Sequence, residues 1–460
     1  MTIKDIFPTA IKGNLADMIT FSMRRMCDMN IHGIIAFDGN VDYELIKKAI
    51  RLSFDAEPVI GCRLIVSEKM FYWKRRNDID DMNFCALKET NDVESEMHNF
   101  LIIPMDPEKD AQIQAIILRA ENDTLCIKVN HGIADAGGAK EYLYLLADIY
   151  SKLKDDPSYK PKINVTGRRG LKQIADRFNF FEKLKIIRRI FRNLKSDSFY
   201  LLHGIRVTKQ LRDPKYSSYK YWNFPLVNKG DSDRKFEIYK ILPEQFRNLK
   251  AYGQKYNATI NDILLAAFYR AFFDIINPDK NEPLHILSTA DLRRYLPGEK
   301  AEAICNLSGF VHVNIGRKLG KTFLDTLIKV RDRMNFYKSD CIGLADFPPF
   351  LPLKIFPVKW ALGVFKGFFE TVINDAESIF PVITNMGIIH LKRDSFKGSV
   401  IKDAFLTAPV MFYSFTGFGI TGFGESITIS IGICGSKINN DIVKELFKRL
   451  DNELTLNVYN

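Results

Sequence analysis

Lys128-Val129-Asn130-His131-Gly132-Ile133-Ala134-Asp135-Ala136-Gly137-Gly138 is the stretch on which the reading of this chain turns. Before it, Leu125, Ile127 and Val129 alternate with Cys126 and Lys128, the period-2 pattern of a half-buried strand. After it, Leu143, Leu146, Ile149, Tyr150 and Leu153 recur at helical spacing. His131 and Asp135 therefore fall on a tight, glycine-containing loop between two packed elements, a place where a rigid scaffold positions chemistry. Two readings fit the spacing. In one, Asp135 caps the helix that follows and His131 is a satisfied core histidine. In the other, the pair is functional.

Composition narrows the classes around this loop. The 460 residues are 46% hydrophobic and 26% charged, ordinary globular values with enough chain for two or three domains. No apolar run follows Met1 to Ile6, and no stretch reaches membrane-spanning length, so neither a leader nor a span is expected. The seven cysteines are scattered without a Cys-x-x-Cys pair or a Cys/His cluster. That argues against a metal site and a disulfide framework, and for a reduced cytoplasmic protein. The net charge of +11 permits an anionic membrane, a phosphorylated cofactor or an acidic protein as partner. Nucleic acid is not expected, because no binding motif accompanies the charge.

Along the chain, Ile31 to Phe37 reads as a strand and Val41 to Phe54 as an amphipathic helix stopped at Glu57-Pro58. Ala111 to Arg119 and Thr124 to Val129 read as a hairpin. Residues 154–230 are polar and basic. Within them Phe178 to Phe199 reads as an amphipathic helix, with Lys183, Lys185, Arg188, Arg189, Arg192 and Lys195 beside Phe181, Leu184, Ile187, Ile190 and Phe191. This is either a solvated face on a linker or a patch for phosphates or an anionic membrane, to which the Phe-rich, Lys-interrupted Asp346 to Phe369 segment adds apolar contact. A second lobe opens near Lys235, and Thr259 to Phe268 begins a nearly all-apolar, hence buried, helix. Strands follow at His285 to Thr289, Gly309 to Ile315, Val382 to Thr384, Ala408 to Phe412 and Ser426 to Gly432, before a helix over Asp441 to Asn452. The glycine-rich run Thr416 to Gly424 lacks a phosphate-loop context and reads as a crossover loop.

Taken together, these stretches resemble the chloramphenicol-acetyltransferase-like acyltransferases, the superfamily of condensation domains, alcohol acetyltransferases and polyketide-associated acyltransferases. The motif His-His-x-x-x-Asp-Gly appears here as Asn130-His131-Gly132-Ile133-Ala134-Asp135-Ala136-Gly137. Thr289 to Arg294 is similar to the family's Asp-Leu-Arg segment, Asn306 to Arg317 to its Gly-x-Phe strand motif, and Thr384-Asn385-Met386-Gly387 to its Ser-Asn-x-Gly turn. The matches span nearly the whole chain. Asn130 stands where condensation domains carry the first His, and Ala136 where the family has Gly. The likeness is closer to free-standing alcohol or amine acyltransferases than to a peptide-forming domain.

The resemblance implies an α/β (α+β) fold of two lobes, each a mixed sheet flanked by helices, with a channel between them. The lobes are expected at residues 1–165 and 233–460, joined by a basic crossover at 166–232. It implies transfer of an acyl group from coenzyme A or a phosphopantetheine carrier, as co-substrate and not as a resident cofactor, to a small-molecule or lipid acceptor. Such transfer needs a base with a pKa near neutrality, for which His131 is the candidate. Asp135 is expected to shape the loop by pairing with Arg293, or failing that Arg317, with Gly137 supporting the motif. Asn385, Ser414 and Thr416 are candidates for the oxyanion or channel, although such residues near Gly are also common turn formers. Partners admitted by the reading are an acyl carrier protein and an anionic membrane, the latter making the protein peripheral. The competing functions are a non-catalytic relative that docks a carrier or partner protein, and a membrane-surface lipid-binding protein.

Overall fold

The computed structural model describes residues 8–194, 222, 224–226, 233–280, 282–339, 341–344, 356–374, 381–412, 416–435 and 437–456. The helices start where the sequence supplies caps. Asp42 accepts a hydrogen bond from Leu45 N at 3.0 Å and opens Tyr43–Ala56. Thr259 and Asp262 form a capping box at the head of Ile260–Ile276, which ends at Asn277 in the left-handed region with φ 45°. No described helix is long and apolar enough to cross a membrane.

Two mixed sheets carry the two lobes. The first has five strands in the order Val400–Thr407, Asn30–Asp38, Asp123–Asn130, Ile113–Arg119, Cys85–Glu89, all antiparallel except the last pair. Ile31, Ile35, Ile127 and Val129 share a core with Tyr142 and Leu146 of the Ala136–Asp155 helix. The second sheet has seven strands. Ser308–Asn314, His285–Asp291, Val382–Ile388, Gly417–Phe423 and Ser426–Ile433 follow one another, with Lys235–Ile241 and Val410–Met411 both pairing with Ser426–Ile433. The buried Ile260–Ile276 helix and the helices Phe323–Lys338 and Lys437–Leu456 cover this sheet.

Several expectations need correction. The strand Asp123–Asn130 is buried on both faces, because Leu101 and the second-lobe residues Phe236 and Ile238 cover the side bearing Cys126. Lys128 on that side escapes isolation by donating to Ile103 O at 2.8 Å and lying 4.2 Å from the Phe100 ring centroid. Burial pushes its pKa down to about 8. The run Thr416 to Gly424 is not a crossover loop but contains the strand Gly417–Phe423, sandwiched between Val382–Ile388 and Ser426–Ile433. Its glycines answer to crowding: a Cβ at Gly419 would lie 2.5 Å from Met386 Cε and 3.0 Å from Ala408 N. The residue range 233–460 also contributes Val400–Thr407 to the first sheet, so the chain returns across the seam between the lobes.

The basic helix, described here as Phe180–Leu194, does not divide into an inner apolar and an outer charged side. Phe181 and Ile187 are exposed beside the exposed Lys183, Lys185 and Arg188, while Arg189 is buried with its guanidinium 5.7 Å from the Tyr337 ring centroid. Lys195 lies outside the described residues, as does part of the Asp346 to Phe369 segment, whose remainder begins the helix Val358–Asn374.

Candidate active site

The His131 loop follows from local chemistry at the end of Asp123–Asn130. The Asn130 side-chain oxygen accepts Gly132 N at 2.7 Å, and Asn130 O accepts Ile133 N at 3.0 Å, turning the chain sharply. A Cβ at Gly132 would sit 2.8 Å from Asn130 Oδ1 and 3.2 Å from the Trp73 ring, so the turn requires glycine. His131 stands at the apex, partly exposed, its N–H donated to Met29 O at 2.8 Å. Met29 holds φ 60°, a conformation that costs a non-glycine residue about 1–3 kcal/mol and clusters near functional sites. His131 Nδ1 lies 3.2 Å from Asn306 Oδ1, and Asn306 Nδ2 donates to Gly132 O at 3.2 Å. Burial holds the imidazole below its usual pKa, against the opposing pull of its backbone, the Asp135 charge and Asn306.

Asp135 is consumed entirely by structure. It caps the Ala136–Asp155 helix, Oδ1 accepting from Gly138 N at 2.9 Å and from Arg293 Nη1 at 2.9 Å. Oδ2 accepts from Leu307 N at 2.6 Å and Ser308 Oγ at 2.7 Å, at the start of a second-sheet strand. Burial works against its charge, but Arg293 and these donors hold the carboxyl below the usual range. Both sequence readings of Asp135 thus describe one residue, a cap and a partner of arginine.

Arg293 is 3% exposed and faces three carboxylates: Asp135, Glu141 at 3.2 Å and Asp291 at 3.3 Å. Its Nη2 donates to Cys305 O at 2.9 Å. Gly137 makes room for it, since a Cβ there would lie 2.3 Å from Arg293 Nη1. Burial pushes the neighbouring Cys305 thiol up to about 12, so it is no nucleophile at neutral pH.

The remaining sequence candidates lie elsewhere. Arg317 is exposed beyond the Ser308–Asn314 strand and is not among the partners of Asp135. Asn385 takes Gly387 N on its oxygen at 2.9 Å and donates to Asn261 Oδ1 at 2.8 Å, which is turn chemistry at a bulge within the second lobe. Thr416 is buried, its carbonyl taking Val382 N at 3.1 Å. Ser414 lies outside the described residues.

Sequence reasoning missed two supports of the loop. Asn306 fell inside a quoted motif but carried no assigned role. Arg169, read only as part of a basic crossover, is a rivet: it donates to Asp17 Oδ2 at 3.0 Å, to Ile133 O at 3.1 Å and to Ile304 O at 3.0 Å. Asp17 also accepts Trp73 Nε1 at 3.0 Å. Two cavities border the loop. One of about 370 Å³ touches Met29, Trp73, Asn130 and Gly132, and one of about 740 Å³ touches Gly137, Lys140, Tyr144, Arg293 and His390.

The arrangement of two lobes on two mixed sheets has counterparts among solved structures. Polyketide synthase associated protein 5 from Mycobacterium tuberculosis superimposes with a TM-score of 0.64 at 13% identity, over 98% of both chains. The first condensation domain of the CDA synthetase gives 0.63 at 12%, again over 98% of both chains. Trichothecene 15-O-acetyltransferase from Fusarium sporotrichioides gives 0.63 at 12%, over 96% of this chain and 94% of that one. This chain has the chloramphenicol-acetyltransferase-like fold. Neither a protein-family model nor a curated protein sequence matches it. At these identities the likeness is one of fold, and within that chloramphenicol-acetyltransferase-like fold the site must be argued from this chain's own residues.

Proposed function

We propose that the protein transfers an acyl group from a thioester, acyl-coenzyme A or an acyl-phosphopantetheine carrier, to a hydroxyl or amine acceptor, with His131 as general base. The observation that carries this reading is the division of labour in the loop. Asp135 has all its bonding capacity used by structure, while His131, its imidazole kept neutral by burial, is a partly exposed residue on a loop that two cavities border. The fold neighbours named as a condensation domain and an acetyltransferase support acyl transfer, and those named for synthases and synthetases support a carrier as donor.

In this mechanism imidazole takes the acceptor's proton as its oxygen or nitrogen lone pair attacks the thioester carbonyl carbon. The tetrahedral intermediate collapses with cleavage of the C–S bond, and the imidazolium returns its proton to the departing sulfur. The test is a mass-spectrometric screen of acyl-coenzyme A and acyl-carrier donors against pooled alcohols and amines. An acylated product is expected, with the acid limb of its kcat/KM profile below pH 6.5, because burial disfavours the protonated base. No product from either donor class would leave a carrier-docking or lipid-binding role in its place.

A separate observation favours contact with a membrane. Phe180, Phe181 and Ile187 are 69%, 79% and 45% exposed, interleaved with exposed Lys183, Lys185 and Arg188 on one helix. A face that offers apolar and basic groups together suits an anionic lipid surface, each cation adding up to about 1 kcal/mol. Lys183→Glu, Lys185→Glu and Arg188→Glu combined are expected to abolish sedimentation with anionic vesicles at low salt. Equal sedimentation of variant and wild type would refute this.

A further inference from the structure

We infer that Asn306 sets the imidazole tautomer of His131, making it a positioning residue for the base. The inference rests on the acyl-transfer reading only for what the base is used for. Gly132 O can only accept a hydrogen bond. Asn306 Nδ2 lies 3.2 Å from it, so the amide nitrogen must face that carbonyl and the amide oxygen must face His131. That oxygen, 3.2 Å from Nδ1, can also only accept. Nδ1 therefore carries the ring proton, and Nε2 keeps the lone pair.

The usual orienting carboxylate is absent from this arrangement. Asp135, the carboxylate nearest in sequence, already takes two donors on each oxygen. A neutral amide orients the ring without the charge that would stabilise imidazolium and raise the base's pKa. The placement also has a consequence for assembly. Asn306, Leu307 and Ser308 are consecutive, and all three bond to the first-lobe loop, Asn306 to His131 and Gly132, the other two to Asp135. One short segment of the second lobe thus holds both members of the motif, and the Asn306 bond to the ring forms only when the lobes are docked.

The test needs no substrate. In the full chain labelled with ¹⁵N-histidine, His131 is assigned by its loss in His131→Gln, and its two nitrogens are read at pH 8. A protonated Nδ1 and an unprotonated Nε2 are expected. The opposite tautomer, or the averaged shifts of free imidazole, would overturn the inference. In Asn306→Ala the nitrogens should move toward that average, and kcat should fall about fivefold with KM within about twofold, the size of one hydrogen bond. Asn306→Asp should restore the Nδ1–H tautomer while moving the acid limb of kcat/KM to higher pH. An alanine variant that keeps the wild-type tautomer would also overturn it. Should the wild type transfer no acyl group at all, the acyl-transfer reading falls and the nitrogen shifts still decide this one.

Discussion

His131→Ala is expected to lower kcat/KM for acyl transfer by about 10²–10⁴-fold, the range of a positioned general base. The fold should be indifferent to it. The bond that ties the apex of the loop to the first sheet is made by the backbone, His131 N to Met29 O, and survives the substitution. His131 is a partly exposed residue, and the substitution gives up one side-chain hydrogen bond, to Asn306. Midpoints of thermal unfolding within about 4 °C of each other should therefore accompany very different rates, since one hydrogen bond is worth only about 1 kcal/mol. A variant that turns over at the wild-type rate would remove His131 from the chemistry, whatever its tautomer.

Asp135→Ala should show the reverse balance, a large loss of stability with the loss of rate following from it. The substitution removes a helix cap, frees Leu307 N and Ser308 Oγ, and takes one of three carboxylates from a guanidinium that is 3% exposed. Breaking a buried pair by removing one partner costs about 3–5 kcal/mol, and each kcal/mol moves the midpoint by roughly 2–4 °C in lobes of this size. Arg293→Ala should cost a similar amount, because Glu141 and Asp291 lose the same partner. The double variant should fall short of the sum by about 1 kcal/mol or more, as expected for residues in contact. An unchanged midpoint for Asp135→Ala, measured by calorimetry, would show that the clamp does not hold the loop.

Much of the fold was legible because its signals are local. The alternation through Val129, the helical spacing of Leu143, Leu146 and Leu153, and the cap at Asp135 are set by residues a few positions apart, and the structure places a strand, a turn and a helix there. The Asp135–Arg293 pair was legible only through the resemblance of a few short motifs, since 158 positions separate the partners.

What the sequence by itself determined is thus the set of elements and the presence of a histidine and an aspartate on one rigid turn. The tertiary structure decided the rest, because those choices depend on what arrives from far along the chain. Gly417–Phe423 reads as loop until Met386 and Ala408 are packed so close that glycine is the residue that fits. Val400–Thr407 joins the first sheet through hydrogen bonds to Asn30–Asp38, and no local pattern encodes a partner so distant. Ile187 is exposed and Arg189 buried, against the helix's own periodicity, and Tyr337 supplies the guanidinium a face to lie on. Asn306 reaches His131 only across the seam, and Arg169 pins Ile133 only from the crossover. Side-chain hydrogen bonds have a reach of about 3 Å, so their partners are fixed by where the two lobes come to rest and not by spacing along the chain.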